Sequence, residues 1–135
     1  MSNDALLVAI GAVPGAWLRF RVVNHFEPII PRKHWGTFGV NVIACFALGL
    51  LVSLEQSCAQ ASSRMLLLLG TGFLGSFSTF STFMAEVFAV LRERAWGETF
   101  GLLASSVLGG LLAMELGLAI GQRPDRMCVP DLFEE

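Results

Sequence analysis

The sequence predicts an all-α integral membrane protein of four transmembrane helices, the third one broken near its middle. Three observations lead there. Of the 135 residues, 54% are hydrophobic and only 15% charged, where a soluble domain carries about 25% charged residues; the mean hydropathy is +0.65. The apolar residues fall into four runs, each close to the ~20 residues that cross ~30 Å of hydrocarbon. One of these runs contains GFLGSFSTFSTF (72–83), where glycines weaken a helix and hydroxyls compete for its hydrogen bonds.

The first span runs over about 5–23. The preceding residues have no basic segment, and Asp4 stands where Lys or Arg would open a secretion signal, so this span is expected to stay on the chain. The second runs over 36–54, the third over 65–91 and the fourth over 100–121. A helix as long as Met65–Leu91 measures ~40 Å, too long for a perpendicular crossing unless it tilts or breaks. The break is placed at Gly75–Thr79. Irregular backbone at that depth must face protein or an aqueous cavity, and its freed carbonyls would suit a hard cation. The connecting segments NHFEPIIPRKHW, EQSCAQASSR and RERAWGE are polar and punctuated by Pro, Ser or charge. Residues 1–122 thus read as one four-helix domain, and 123–135 as a polar tail expected to be disordered.

Four spans place both termini on one side, with Arg64, Arg123 and Arg126 there and Arg21, Arg32, Lys33, Arg92 and Arg94 opposite. That split gives little orientation under the positive-inside rule; one orientation with a slight preference and insertion both ways remain open. A net charge of −2 without a basic run gives no footprint for nucleic acid.

Several polar residues lie at membrane depth. Arg19 costs ~2.5–3.5 kcal/mol at a helix centre; it either snorkels beside Arg21 or attracts anions in a watery mouth. Asn41 is either helix–helix glue or an amide donor to an anion. Glu86 either pairs with Arg19 or accepts a hydroxyl hydrogen bond; Glu115 sits near the end of the fourth span. In an ideal helix Phe77, Phe80 and Phe83 form a slanting row, with Ser78, Ser81 and Thr82 as a polar track beside it. Ring edges are electropositive, so rings facing hydroxyl donors suit a small anion. Gly11 and Gly15, and Gly109, Gly110, Gly117 and Gly121, read as close-packing positions. Four helices enclose little space, so at least a dimer is expected. Cys45, Cys58 and Cys128, like His25 and His34, show no metal-ligand spacing, and no nucleophile–base pair or phosphate loop points to an enzyme.

GAWLRF (15–20), GTFGVN (36–41) and GSFSTFSTFMAE (75–86) resemble the Fluc (CrcB-type) fluoride ion channel family, whose pattern is GA-xx-R-[YF], then GT-xxx-N, then G-xx-TTFSTF with a following acid. The third motif is the specific one, and the likeness spans all four helices. It implies an antiparallel dual-topology homodimer in the cell (inner) membrane, with two fluoride pathways and passive export that gives fluoride resistance. It implies a fluoride path along Phe80, Phe83, Asn41, Ser81, Thr82, Arg19 and Glu86. It also implies a structural, untransported Na⁺ on the backbone carbonyls of Gly75 and Ser78. The chain departs from the usual pattern at Pro14, Ala44, Cys45, Ser76 and Ser78. Pro14 is expected to kink the first span and Ser76 to stiffen the break. A proton-coupled exporter would need a carboxylate deep in the first span, which here carries Arg19 and no acid. A non-transporting assembly subunit would leave the Phe/hydroxyl row unexplained.

Overall fold

The computed structural model describes residues 2–26, 34–57 and 63–122. The tail expected at 123–135, most of the first two connecting segments, Cys58 and Cys128 lie outside the described residues. The described chain is helical. Helix α1 covers Ser2–Phe26 and α2 covers His34–Ser57. The third hydrophobic stretch is composite: a turn, α3 (Ser63–Met65), a π-helix (Leu66–Leu74), a second turn, α4 (Gly75–Phe77), and then α5 (Phe80–Arg92). Helix α6 covers Trp96–Gly121. Among the described residues, four helical segments are long and apolar enough to cross a membrane: Asn3–His25, His34–Gln56, Leu66–Arg92 and Trp96–Gly121.

The spans associate as two backbone-close pairs. Helix α1 lies along the π-helix and α4, and α2 lies along α6. In a lipid solvent there is little hydrophobic drive between helices, so contact depends on small residues that let backbones approach. A Cβ on Gly15 would collide with the Phe73 carbonyl oxygen and Ser76 Oγ. A Cβ on Gly117 would collide with the Phe46 carbonyl oxygen. Gly11 is as tightly placed against Leu68. The close-packing reading of these positions is therefore realised as backbone-to-backbone contact.

Ser76 adds a directional tie between α1 and the third stretch. Its hydroxyl shares one proton between the carbonyls of Ala12 (2.9 Å) and Phe73 (3.0 Å). Helix α1 continues through Pro14. The π winding of Leu66–Leu74 was not foreseen from the sequence; such stretches are rare and cluster at functional sites. At its end the Gly75 N–H points to the carbonyls of Gly70 and Gly72.

Where the two pairs meet, Val40, Ala44 and Phe77 form the buried core, with Val22 and Val23 packed on it. Outward, Val107, Leu108, Leu111, Leu112 and Leu116 of α6 are all exposed, which is the composition a lipid-facing surface requires.

Helices α5 and α6 are joined by a short turn through Glu93 and Arg94. The Arg94 N–H donates to the Leu91 carbonyl at 3.0 Å, and its φ is 58°. That left-handed conformation costs a non-glycine residue roughly 1–2 kcal/mol. Arg94→Gly is expected to stabilise the protein by about 1 kcal/mol, read as a higher Tm of the detergent-solubilised protein.

Candidate functional site

The site is built on the residues between α4 and α5. Ser78 (φ −74°, ψ 157°) and Thr79 (φ −150°, ψ 115°) have extended backbones. Such angles strain no L-residue; what they disturb is hydrogen bonding. In a continuous helix the Thr79 N–H would bond the Gly75 carbonyl, four residues back. Here it donates to Asn41 Oδ1 at 2.8 Å, while Asn41 Nδ2 donates to the Thr79 carbonyl at 3.1 Å. One side-chain amide thus takes both backbone groups of Thr79. The amide's orientation follows, because a backbone N–H only donates.

The same displacement recurs one turn on. The Thr82 N–H, which would bond the Ser78 carbonyl in a helix, meets Thr79 Oγ1 at 3.3 Å. Thr79 Oγ1 donates in turn to Thr82 Oγ1 at 3.0 Å. Thr79 is thereby the N-cap of α5.

The N–H groups that a continuous helix would send to the carbonyls of Gly75 and Ser78 are thus both taken by side-chain oxygens. Both residues line one small cavity of about 110 Å³, together with Ala44, Cys45, Leu48 and Leu74. Backbone carbonyl oxygens can replace the hydration shell of a monovalent cation, so these residues fit the Na⁺ that the family resemblance implies. Among the described residues, no three His, Cys, Asp or Glu side chains converge on a point.

The aromatic residues divide. Phe80 is 74% exposed and Phe83 is 8% exposed, with ring centroids 6.3 Å apart. Phe77 belongs to α4, is buried, and stacks on Phe73 with centroids 6.1 Å apart. The three-ring row of an ideal helix is thus reduced to Phe80 and Phe83, because the extended residues rotate Phe77 out of it into the core. Ser78 likewise leaves the polar track, which on α5 consists of Ser81 and Thr82, both exposed.

Arg19, partly exposed, lines a cleft of about 150 Å³ with Phe20, Val23, Asn24, Thr79 and Thr82. Glu86 lies on a separate cavity of about 450 Å³ with His34, Glu93 and Glu98 among its walls. Glu86 Oε1 accepts a hydrogen bond from Thr37 Oγ1 at 2.6 Å, the hydroxyl option of the two weighed above. Thr37 itself is fully buried.

Residues 6–118 match the family described as CrcB-like protein, Camphor Resistance (CrcB). The chain belongs to the CrcB family. A relative from Prochlorococcus marinus (strain MIT 9313), named "Fluoride-specific ion channel FluC 1", is 60% identical over 119 residues, covering 87% of this chain and 91% of its own length. A protein of the same name from Synechococcus sp. (strain CC9902) is 54% identical over 118 residues, 87% of this chain and 93% of that one. "Fluoride-specific ion channel FluC" from Chloroflexus aurantiacus (strain ATCC 29366 / DSM 635 / J-10-fl) is 37% identical over 124 residues, 89% and 96% of the two chains. CrcB relatives so named are ion channels and not enzymes, and with its four spans this CrcB chain is a multi-pass membrane protein.

Thr79, Thr37 and Ser76 are the polar residues at this centre whose contacts sequence reasoning missed. Thr79 had a local signal, a hydroxyl directly before a helical run. Thr37 had none, since its partner lies 49 residues away; for Ser76 the local bond to Phe73 was within reach of sequence reasoning, and the bond to Ala12, 64 residues away, was not. Thr79→Val is expected to cost about 1 kcal/mol through loss of the cap, and Thr79→Ser to keep most of it, measured by thermal unfolding in detergent.

Proposed function

We propose that this chain is a fluoride-selective channel of the cell membrane that lets F⁻ leave passively and so lowers cytoplasmic fluoride. Two copies pair antiparallel, with a structural Na⁺ held by the Gly75 and Ser78 carbonyls, and the extended Ser78–Thr79 segment is the mid-membrane break of the third span. The observation that carries this reading is the placement of Phe80. Its ring stands 74% exposed on a single chain, at the start of α5, beside Ser81 and Thr82. The names of the CrcB relatives supply the ion.

The chemistry follows from what each group offers. Fluoride surrenders its hydration only where other donors replace water. The hydroxyls of Ser81 and Thr82 supply O–H groups, and the second N–H of Asn41 is a further donor. The edges of Phe80 and Phe83 supply a diffuse positive field that a larger, softer anion exploits less well. Arg19, in the cleft shared with Thr79 and Thr82, raises the local anion concentration. Glu86, held by Thr37, stands along the same helix two turns beyond Thr79. The Na⁺ supplies a fixed positive charge at the break and is not transported.

No energy source is required. HF crosses the lipid uncharged and dissociates in the more alkaline interior; the membrane potential then drives F⁻ outward with ~2.3 kcal/mol per charge per 100 mV. The test is efflux from liposomes loaded with NaF, followed with a fluoride electrode, with NaCl-loaded vesicles as control. Rapid fluoride release with negligible chloride release is expected. Phe80→Ile and Phe83→Ile should each slow fluoride release at least about tenfold, equivalent to about 1.4 kcal/mol of barrier, in protein that still elutes as a dimer. Unchanged flux in both variants would refute the aromatic path.

A further inference from the structure

We infer that Asn41 is a positioning residue for the cation site, assembling it by drawing the Thr79 N–H away from the Gly75 carbonyl. This deepens the proposed function and rests on its assignment of a cation to Gly75 and Ser78. The link is a competition for one carbonyl oxygen. The Gly75 carbonyl has two claims on it: the Thr79 N–H, four residues on, which would close a helical turn, and a bound cation. The 2.8 Å bond from Thr79 N to Asn41 Oδ1 removes the first claim. The 3.1 Å bond from Asn41 Nδ2 to the Thr79 carbonyl fixes the following peptide group as well, so Thr79 is held on both sides of its Cα.

Inside a membrane this competition is sharp, because a backbone donor without a partner costs several kcal/mol. With Asn41 removed, the acceptor that helical winding offers the Thr79 N–H is the Gly75 carbonyl. Taking it turns Ser78 and Thr79 toward helical angles and removes a cation ligand. Asn41 itself belongs to α2, and the cavity shared by Gly75 and Ser78 is walled on that side by Ala44, Cys45 and Leu48 of α2. The same helix thus carries the amide that holds the break and the side chains that close the cavity.

The inference separates the acceptor half of the amide from its donor half. Asn41→Asp keeps an Oδ acceptor for the Thr79 N–H and loses the Nδ2 donor, whereas Asn41→Ala loses both. The readout is the increment in Tm when Na⁺ replaces choline at constant ionic strength, in the purified dimer without fluoride. A ligand that binds only the folded protein raises Tm by mass action, whereas a merely structural role for Asn41 lowers the baseline Tm and leaves the increment unchanged.

The wild type should show an increment of several degrees, Asn41→Asp at least half of it, and Asn41→Ala none. Phe80→Ile should keep the full increment, since it touches the proposed anion path alone. A wild-type protein indifferent to Na⁺ would remove the cation assignment on which the inference stands. A Na⁺-responsive wild type with an equal increment in Asn41→Ala would overturn the role of Asn41 while leaving the channel reading intact. If Asn41→Ala yields no folded dimer, loss of the increment in Asn41→Asp overturns it equally.

Discussion

The pair of hydrogen bonds between the Asn41 amide and the two backbone groups of Thr79 is the interaction on which the rest of the centre depends. An extended residue between two helical segments exposes a donor and an acceptor that hydrocarbon cannot satisfy. A side-chain amide meets both needs from one planar group, its oxygen accepting and its NH2 donating. A hydroxyl or a carboxylate in that place would satisfy the pair less completely. With Thr79 held this way, its own hydroxyl is free to cap α5, and α5 can begin at Phe80 with that ring turned outward. The exposed ring, the paired hydroxyls and the Asn41 amide thus meet at one residue, Thr79.

That centre is carried by a scaffold whose rigidity comes from backbone proximity. Helix α1 is tied to the third stretch at Gly11 and Gly15 and by the hydroxyl of Ser76. Helix α2, which carries Asn41, is tied to α6 at Gly49 and Gly117. The amide therefore bridges two pairs that are each individually stiff, and a shift of either pair moves it against Thr79. The Thr37–Glu86 bond is a second bridge between α2 and α5, one turn along α2 from Asn41, so α5 is held to α2 at two heights.

The four spans were legible because hydropathy and length are local properties, and the observed segments match the expected ones to within a few residues at most ends. Of the close-packing glycines, Gly11, Gly15 and Gly117 were legible and do face backbone, Gly109, Gly110 and Gly121 face mainly side chains, and Gly49 and Gly72 were not singled out. The hydrogen-bonding of the centre was not legible. Asn41 could be read as glue or as a ligand, and nothing in its neighbours named Thr79, 38 residues away. The three-ring row failed because it assumed one helical phase through Phe77, Phe80 and Phe83, and extended angles at Ser78 and Thr79 break that phase. The π winding of Leu66–Leu74 has the apolar composition of an ordinary helix, so composition could not distinguish it.

The glycine contacts also bear on how such a sequence can drift. Where a small residue faces a side chain, a larger replacement can be accommodated by trimming that neighbour, and the pair can wander together. At Gly15 and Gly117 the obstructing atoms include the carbonyl oxygens of Phe73 and Phe46, which every amino acid carries. No second substitution at Phe73 or Phe46 can remove them. These positions are closed to compensated change and escape only if a whole helix shifts, which at Gly15 would also part Ser76 from the Ala12 carbonyl. A library in which Gly117 and Phe46 vary together should therefore return glycine at 117 whatever stands at 46.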